Sequence, residues 1–270
     1  MFQRFALIAA ATWAMSTTVA HACGSDSDCM IGERSYRIRL PDNVPDGKLG
    51  AIVFSHGYKG TAKGVMNNPR FTALANELGV AIIATKSAKN DWSIPGAPSS
   101  ETDPTVDELA YYDAVLADVS ARFPIDSNRL MASGFSAGAM MVWNLACHRS
   151  SQFAGFAPIA GTFWQPAPTH CDAPPTSVIH MHGTSDKIVP LEGRKVLDTH
   201  QGSVPDVLAM YGQYGGFSQA EARKLGGLSC DIQSNEAADV LAFCAFEGGH
   251  SFQMEYLKSA WSLLEERGKL

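Results

Sequence analysis

Gly134-Phe135-Ser136-Ala137-Gly138 reads G-x-S-x-G, and the residues on either side decide what the pattern means. Ahead of it, Arg129-Leu130-Met131-Ala132-Ser133 is a short, apolar-leaning stretch that suits a buried strand. Behind it, Ala139-Met140-Met141-Val142-Trp143-Asn144-Leu145-Ala146-Cys147 has no Pro and many good helix formers. Strand, tight turn, helix is the setting in which this pattern makes a nucleophile elbow, with the serine hydroxyl exposed above a sheet. Glycine suits positions 134 and 138 because a side chain there would strike the neighbouring strand or helix. The helix that opens at the serine also turns its N–H groups and positive dipole end toward any nearby anion. Without chemical partners, the same five residues would be only a Gly/Ser-rich loop.

Working outward, Ala51 to Ser55 is a continuous apolar run, as in a strand buried on both faces, and it ends in His56-Gly57-Tyr58-Lys59-Gly60. Val80 to Thr85, Phe153 to Ile159, Ser177 to Gly183 and Leu241 to Phe246 read the same way, while Ser35 to Leu40 alternates like a half-exposed strand. Helices are expected over Phe71 to Leu78, closed by Gly79, and over Phe252 to Glu265. Another is expected from Asp103-Pro104 onward, where Val106, Leu109, Ala110, Val115, Leu116 and Val119 recur at helical spacing. Strands alternating with helices imply an α/β fold: a mainly parallel central sheet with helices on both faces. Active sites of such sheets lie at the carboxyl ends of strands. The Pro-, Gly- and Ser-rich loop Lys86 to Pro104 is long enough to mark a functional segment.

Met1 to Ala22 has the form of a cleavable leader: Arg4 ahead of the apolar run Phe5 to Met15, then Ala20-His21-Ala22 as a small-x-small site. The run is too short to span a membrane, so residues 23–270 are expected to form one secreted or periplasmic catalytic domain. Lipid attachment at Cys23 is disfavoured, because Ala20 stands where a bulkier aliphatic residue is usual. The chain carries 21 Lys and Arg against 27 Asp and Glu, a net charge of −6, and loss of Arg4 with the leader makes it −7. This acidic balance gives no electrostatic basis for nucleic-acid binding. No later stretch is apolar for long enough to cross a membrane. A monomer is the default expectation.

The six cysteines, an even count behind a secretory leader, imply disulfides, although six allow fifteen pairings. Sequence neighbours suggest Cys23–Cys29, Cys147–Cys171 and Cys230–Cys244. No cysteine pair has C-x₂-C spacing and no histidine pair has zinc-ligand spacing on a helix, so no metal is expected.

A serine hydroxyl is a poor nucleophile without a base in reach, and the base needs an orienting carboxylate. Asp186, in His182-Gly183-Thr184-Ser185-Asp186, directly follows a buried strand. His250, in Glu247-Gly248-Gly249-His250-Ser251-Phe252, follows another, with two glycines leaving room for an exposed imidazole. The order Ser136, Asp186, His250 is that of an elbow-type hydrolase. The plain alternatives are a turn cap at Asp186 and a helix-start residue at His250. His148, His170 and His200 lack a strand-end setting, and His180 and His182 share one face of a core strand, as packing or supporting residues would. The backbone N–H groups of Ala137 and Tyr58 are the expected oxyanion donors, and His56 is expected to be structural. Tyr58, Trp92, Phe135 and Trp164 stand at strand ends where aromatics can hold an acyl or aryl group.

Four stretches together resemble one family: His56-Gly57-Tyr58, Gly134 to Met141, His182 to Pro190 and Gly248 to Phe252. They look like the secreted polyhydroxybutyrate depolymerase and feruloyl esterase group of α/β-hydrolases. The resemblance implies a serine carboxylic-ester hydrolase working through a Ser136 acyl-enzyme with no cofactor. Its substrate would be a small or oligomeric ester of hydroxyalkanoate or aryl (feruloyl) type. It also favours Cys147–Cys171, since that family often places one cysteine late in the elbow helix and another before the acid-bearing strand. Ser203 to Gly227 is longer than the family pattern. The alternatives are a secreted serine peptidase or amidase of the same fold, and a non-catalytic binding protein that kept the fold.

Overall fold

The computed structural model describes residues 23–98 and 105–270; the expected leader, Met1 to Ala22, and the end of the Lys86 to Pro104 loop lie outside the described residues. In chain order the elements are β1 (Cys29–Ile31), β2 (Arg34–Arg39), β3 (Leu49–Ser55), α1 (Ala62–Asn67), α2 (Pro69–Leu78) and β4 (Ala81–Thr85). They continue with α3 (Glu108–Arg122), β5 (Ile125–Phe135), α4 (Ala137–His148), a 3₁₀ turn (Ser150–Gln152), β6 (Gly155–Ile159) and β7 (Val178–Gly183). The last part holds β8 (Lys195–Val196), β9 (Thr199–His200), α5 (Val204–Gly215), β10 (Ser218–Leu225), β11 (Leu228–Ser234), β12 (Val240–Phe246) and α6 (Met254–Glu266).

One sheet runs β1-β2-β4-β3-β5-β6-β7-β12-β11-β10. The neighbours from β4 to β12 pair in parallel, while β1 and β2 at one edge and β10 and β11 at the other are antiparallel. The period-two alternation sorts the inner strands onto two cores. Val53, Ala132 and Phe156 pack with Tyr112, Trp143 and Tyr211 of α3, α4 and α5. Ile52, Ile82 and Met131 pack with Phe71, Leu257 and Trp261 of α2 and α6. Both faces are therefore covered, which is why these strands read as unbroken apolar runs.

Caps set several helix ends. Asp107 caps α3 by accepting from the Ala110 N–H at 2.9 Å, so this helix starts later than the Asp103-Pro104 expectation. Gly79 closes α2 in the left-handed region at φ 64°. Neither α1, α5 nor the β10–β11 hairpin was expected from the sequence. β10 shows almost no burial alternation, because it is a solvated edge strand, and this removes the signal by which strands are read. No described helix is long and apolar enough to cross a membrane.

Candidate active site

At the β5–α4 turn, Ser136 adopts φ 58° and ψ −122°, a region that costs a side-chain-bearing residue about 1–3 kcal/mol. Its N–H donates to the Ile159 carbonyl oxygen at 2.9 Å, and its own carbonyl accepts from Ala139 and Met140 at 2.9 and 3.1 Å. The flanking glycines permit this turn. A Cβ at Gly134 would lie 2.9 Å from the Ser55 oxygen, and one at Gly138 would fall on the same carbonyl. The Ala137 N–H, in the first turn of α4, has no acceptor within the helix.

Asp186 and His250 follow β7 and β12, which pair in parallel so that His182 lies beside Ala245 and Gly183 beside Phe246. Two further bonds stitch the loops together: Thr184 N–H to Phe246 O at 3.0 Å and Ser185 N–H to Gly248 O at 2.8 Å. The approach is close enough that a Cβ at Gly183 would sit 2.7 Å from the Gly248 oxygen. Asp186 Oδ1 accepts the N–H groups of Ile188 and Val189 at 2.8 and 2.9 Å, and Oδ2 accepts from His250 Nδ1 at 2.7 Å. The carboxylate is fully buried, and the imidazole is 15% exposed. The His250 ring lies 4.6 Å, centroid to centroid, from Phe135, the residue before Ser136.

Behind the acid loop runs a chain of neutral imidazoles. The Trp143 indole of α4 can only donate, and its Nε1 meets His180 Nδ1 at 3.3 Å. That fixes the direction: His180 Nε2–H donates to His182 Nδ1 at 2.9 Å, and His182 Nε2–H donates to the Val189 oxygen at 2.8 Å. Burial, and then the neighbouring His182, pushes His180 well below the ordinary histidine pKa; burial also lowers His182. Both rings are fully buried, whereas His250 is partly exposed.

The loop after β3 lies against the elbow, since a Cβ at Gly57 would come 3.5 Å from Ser136 Cβ. His56 braces this loop. Its Nδ1–H donates to the Gly57 oxygen at 2.8 Å, and its Nε2 accepts the Ser87 N–H at 3.2 Å. Burial holds it neutral, with its pKa lowered to about 4. Trp92 lies apart from the lining of the cavity beside Ser136. It is 1% exposed, donates through Nε1 to the His56 oxygen at 2.9 Å and packs on His56 and Tyr112, so it supports the loop. Phe135 lies against the rings of His250 and Phe252. Trp164 and Tyr58, by contrast, line one cavity of about 310 Å³ together with Ser136 and Ala137.

Of the other walls, the sequence pointed only to the Lys86 to Pro104 loop, which supplies Asp91 and Pro98; Arg194 also lines the cavity. Met140 comes from α4, Ile188 and Val189 from the acid loop, and Val196, Leu197 and Gln201 from the β8–β9 hairpin region. The hairpin turns at Leu197, φ 54° and 69% exposed, without the Asn-Gly or Asp-Gly pair that would have announced it. Ile188, Leu197 and Tyr58 give the cavity mouth an apolar rim.

Three disulfides join Cys23 to Cys29, Cys147 to Cys171 and Cys230 to Cys244. The second ties the end of α4 to the segment entering β7, and the third links directly opposite residues of β11 and β12. Among the described residues no group of three His, Cys, Asp or Glu is placed to hold a metal ion.

A family model described as phospholipase/carboxylesterase matches residues 99–207. A Nocardia uniformis subsp. tsuyamanensis protein named as an esterase is 29% identical over 164 residues, 59% of this chain, and the match spans 47% of that relative, about half its length. Feruloyl esterase C of Emericella nidulans is 24% identical over 232 residues, covering 82% of this chain and 77% of that one. Among solved structures, an acetyl xylan esterase from Aspergillus awamori superposes with a TM-score of 0.63 at 15% identity, over 88% of this chain and 95% of the other.

Proposed function

We propose that this chain, an α/β-hydrolase whose relatives are carboxylic-ester hydrolases, is a secreted serine esterase that works through an acyl-enzyme on Ser136. The observation that carries the reading is the 2.7 Å bond from His250 Nδ1 to buried Asp186, next to a serine held at φ 58°. With Nδ1–H committed to the acid, the free Nε2 of His250 is the basic nitrogen. It takes the Ser136 proton as Oγ bonds to the ester carbonyl carbon. The resulting oxyanion is met by the N–H groups of Ala137 and Tyr58; one such donor is worth about 3–4 kcal/mol in the transition state. His250 then passes its proton to the departing alkoxide. Water, deprotonated by the same nitrogen, attacks the acyl carbon; collapse of that second oxyanion frees the acid and returns the proton to Ser136.

The cavity supports an ester with a compact acyl group, of hydroxyalkanoate or aryl type: Met140, Trp164 and Val189 give it apolar walls, while Asp91, Arg194 and Gln201 add polar groups to its lining. Three disulfides support an oxidising compartment, in keeping with a leader over residues 1–22 and a mature domain from Cys23. Chromogenic short-chain esters, feruloyl esters and peptide anilides, assayed side by side with a fluorophosphonate probe, test the reading. Ester turnover with labelling at Ser136 alone supports it. Faster turnover of the anilides, or labelling at another serine, overturns it.

A further inference from the structure

We infer that Arg194 is an anion subsite of the cavity beside Ser136 and selects esters that carry a carboxylate away from the scissile bond, an assignment that rests on the esterase reading of that cavity. Arg194 lines the cavity with Ser136, Met140 and Trp164. Its place is fixed by three hydrogen bonds. Gly193, at φ 73°, donates its N–H to the Pro190 oxygen at 2.8 Å. The Arg194 carbonyl accepts the Gln201 N–H at 2.8 Å, and the Arg194 Nε–H donates to the Ile188 oxygen at 2.7 Å. The Ile188 N–H in turn donates to Asp186 Oδ1, so the guanidinium is anchored to the loop that carries the acid. With Nε committed, the edge formed by Nη1 and Nη2 remains, and it matches the two oxygens of a carboxylate. No ion pair among the described residues engages that edge, although Glu192 and Asp198 are near in the chain.

Asp91 lines the same cavity and decides where an anion can go. It lies in the loop after β4, whereas Arg194 lies in the segment after β7. The sheet order β4-β3-β5-β6-β7 puts the β5–α4 turn, with Ser136, between them. Asp91 is 8% exposed, and its Oδ1 accepts the Trp92 N–H at 2.8 Å. A carboxylate on that side meets a like charge, and on the other side an opposite one, so the cavity is polarised across the nucleophile. An ester with one carboxylate gains a charge-assisted pair at Arg194, and repulsion from Asp91 fixes its direction. The apolar walls Met140, Trp164 and Val189 suit the chain that joins the carboxylate to the ester. The matching substrate is thus an apolar-chain ester bearing one free carboxylate, on its acyl or its alcohol side.

The test sets a carboxylate against a carboxamide of nearly equal size and shape. Monoethyl glutarate against ethyl 5-amino-5-oxopentanoate probes the acyl side. The anion 4-butyryloxybutanoate against 4-butyryloxybutanamide probes the alcohol side. In at least one pair the anion is expected to show a kcat/KM about tenfold higher at low salt, chiefly through a lower KM, and the ratio should shrink as salt is added. The pair that shows it identifies the side. Arg194→Gln should bring that ratio to about one, and Arg194→Lys, which keeps the charge and loses the fork, should keep part of it. Both members of a pair meet the same Asp186 and His250, so any damage to the acid loop from losing the Ile188 contact cancels in the ratio. Ratios near one in both pairs, a ratio indifferent to salt, or one that survives Arg194→Gln would overturn the assignment. Turnover that persists undiminished in Ser136→Ala would instead sink the esterase reading.

Discussion

His182 Nε2 stands 3.5 Å from Asp186 Oδ2, and both side chains are fully buried. The same nitrogen hydrogen-bonds the Val189 carbonyl, so one imidazole touches the acid and holds the turn that presents it. Through His180 this contact extends to Trp143, on the helix that begins beside Ser136.

His182→Phe should therefore lower kcat by about tenfold while changing KM much less, because the acid loses a support and the cavity keeps its walls. The variant also leaves His180 Nε2 and the Val189 carbonyl unpaired, which should cost about 1–3 kcal/mol of stability. Steady-state kinetics and a denaturant titration measure both. A kcat equal to that of the parent would show that the contact does not position Asp186.

At Ser136 the two obvious replacements should part company. Ser136→Ala and Ser136→Gly both lose the nucleophile, and turnover should fall by about 10⁶-fold. Only glycine is at ease at φ 58° and ψ −122°, so Ser136→Gly should be more stable than Ser136→Ala by about 1 kcal/mol. Equal unfolding midpoints would mean that the elbow stores no strain.

Acid should destabilise the fold through its buried neutral histidines. The folded-state pKa of His56 lies near 4, below the value of about 6.5 for an unfolded chain. The unfolded state therefore binds the extra proton first as pH falls, and stability declines from about pH 6.5 until it levels near pH 4. His56 alone accounts for up to about 3 kcal/mol of that decline. Denaturant titrations across this window should give a shallower slope for His56→Gln than for the parent, and parallel curves would contradict this role.

The Cys147–Cys171 bond closes a segment with a sequence separation of 24, for which chain-entropy arguments give about 3 kcal/mol. Replacing both residues by Ser should lower the thermal midpoint substantially and leave activity at low temperature nearly intact. A large loss of activity at low temperature would show that the bond also sets the geometry of the elbow helix.

The site's structural setting was legible where it is local. The glycines around Ser136 and the strand-end settings of Asp186 and His250 are carried by a few adjacent residues, and those residues lie where the sequence placed them. The cavity walls were not legible, because they come from residues far apart in the chain, and Val196, Leu197 and Gln201 stand around a short hairpin with no turn signature. The burial of Trp92 was not legible for a related reason. A loop tryptophan reads the same whether its ring faces substrate or, as here, buries itself beneath His56.

Between Gly183 and Val240 the chain makes a long excursion, through the β8–β9 hairpin, α5 and the β10–β11 pair, and then returns to the strand it left. Because β7 and β12 are zipped together along their length, the two ends of the excursion are fixed side by side whatever lies between them. The Asp186–His250 pair stands within a few residues of the fixed ends, and Arg194, Val196, Leu197 and Gln201 of the cavity lining belong to the excursion. Such a layout is modular: under the proposed reading, the hairpin can be shortened, lengthened or exchanged to admit a different ester without resetting the Asp186–His250 pair.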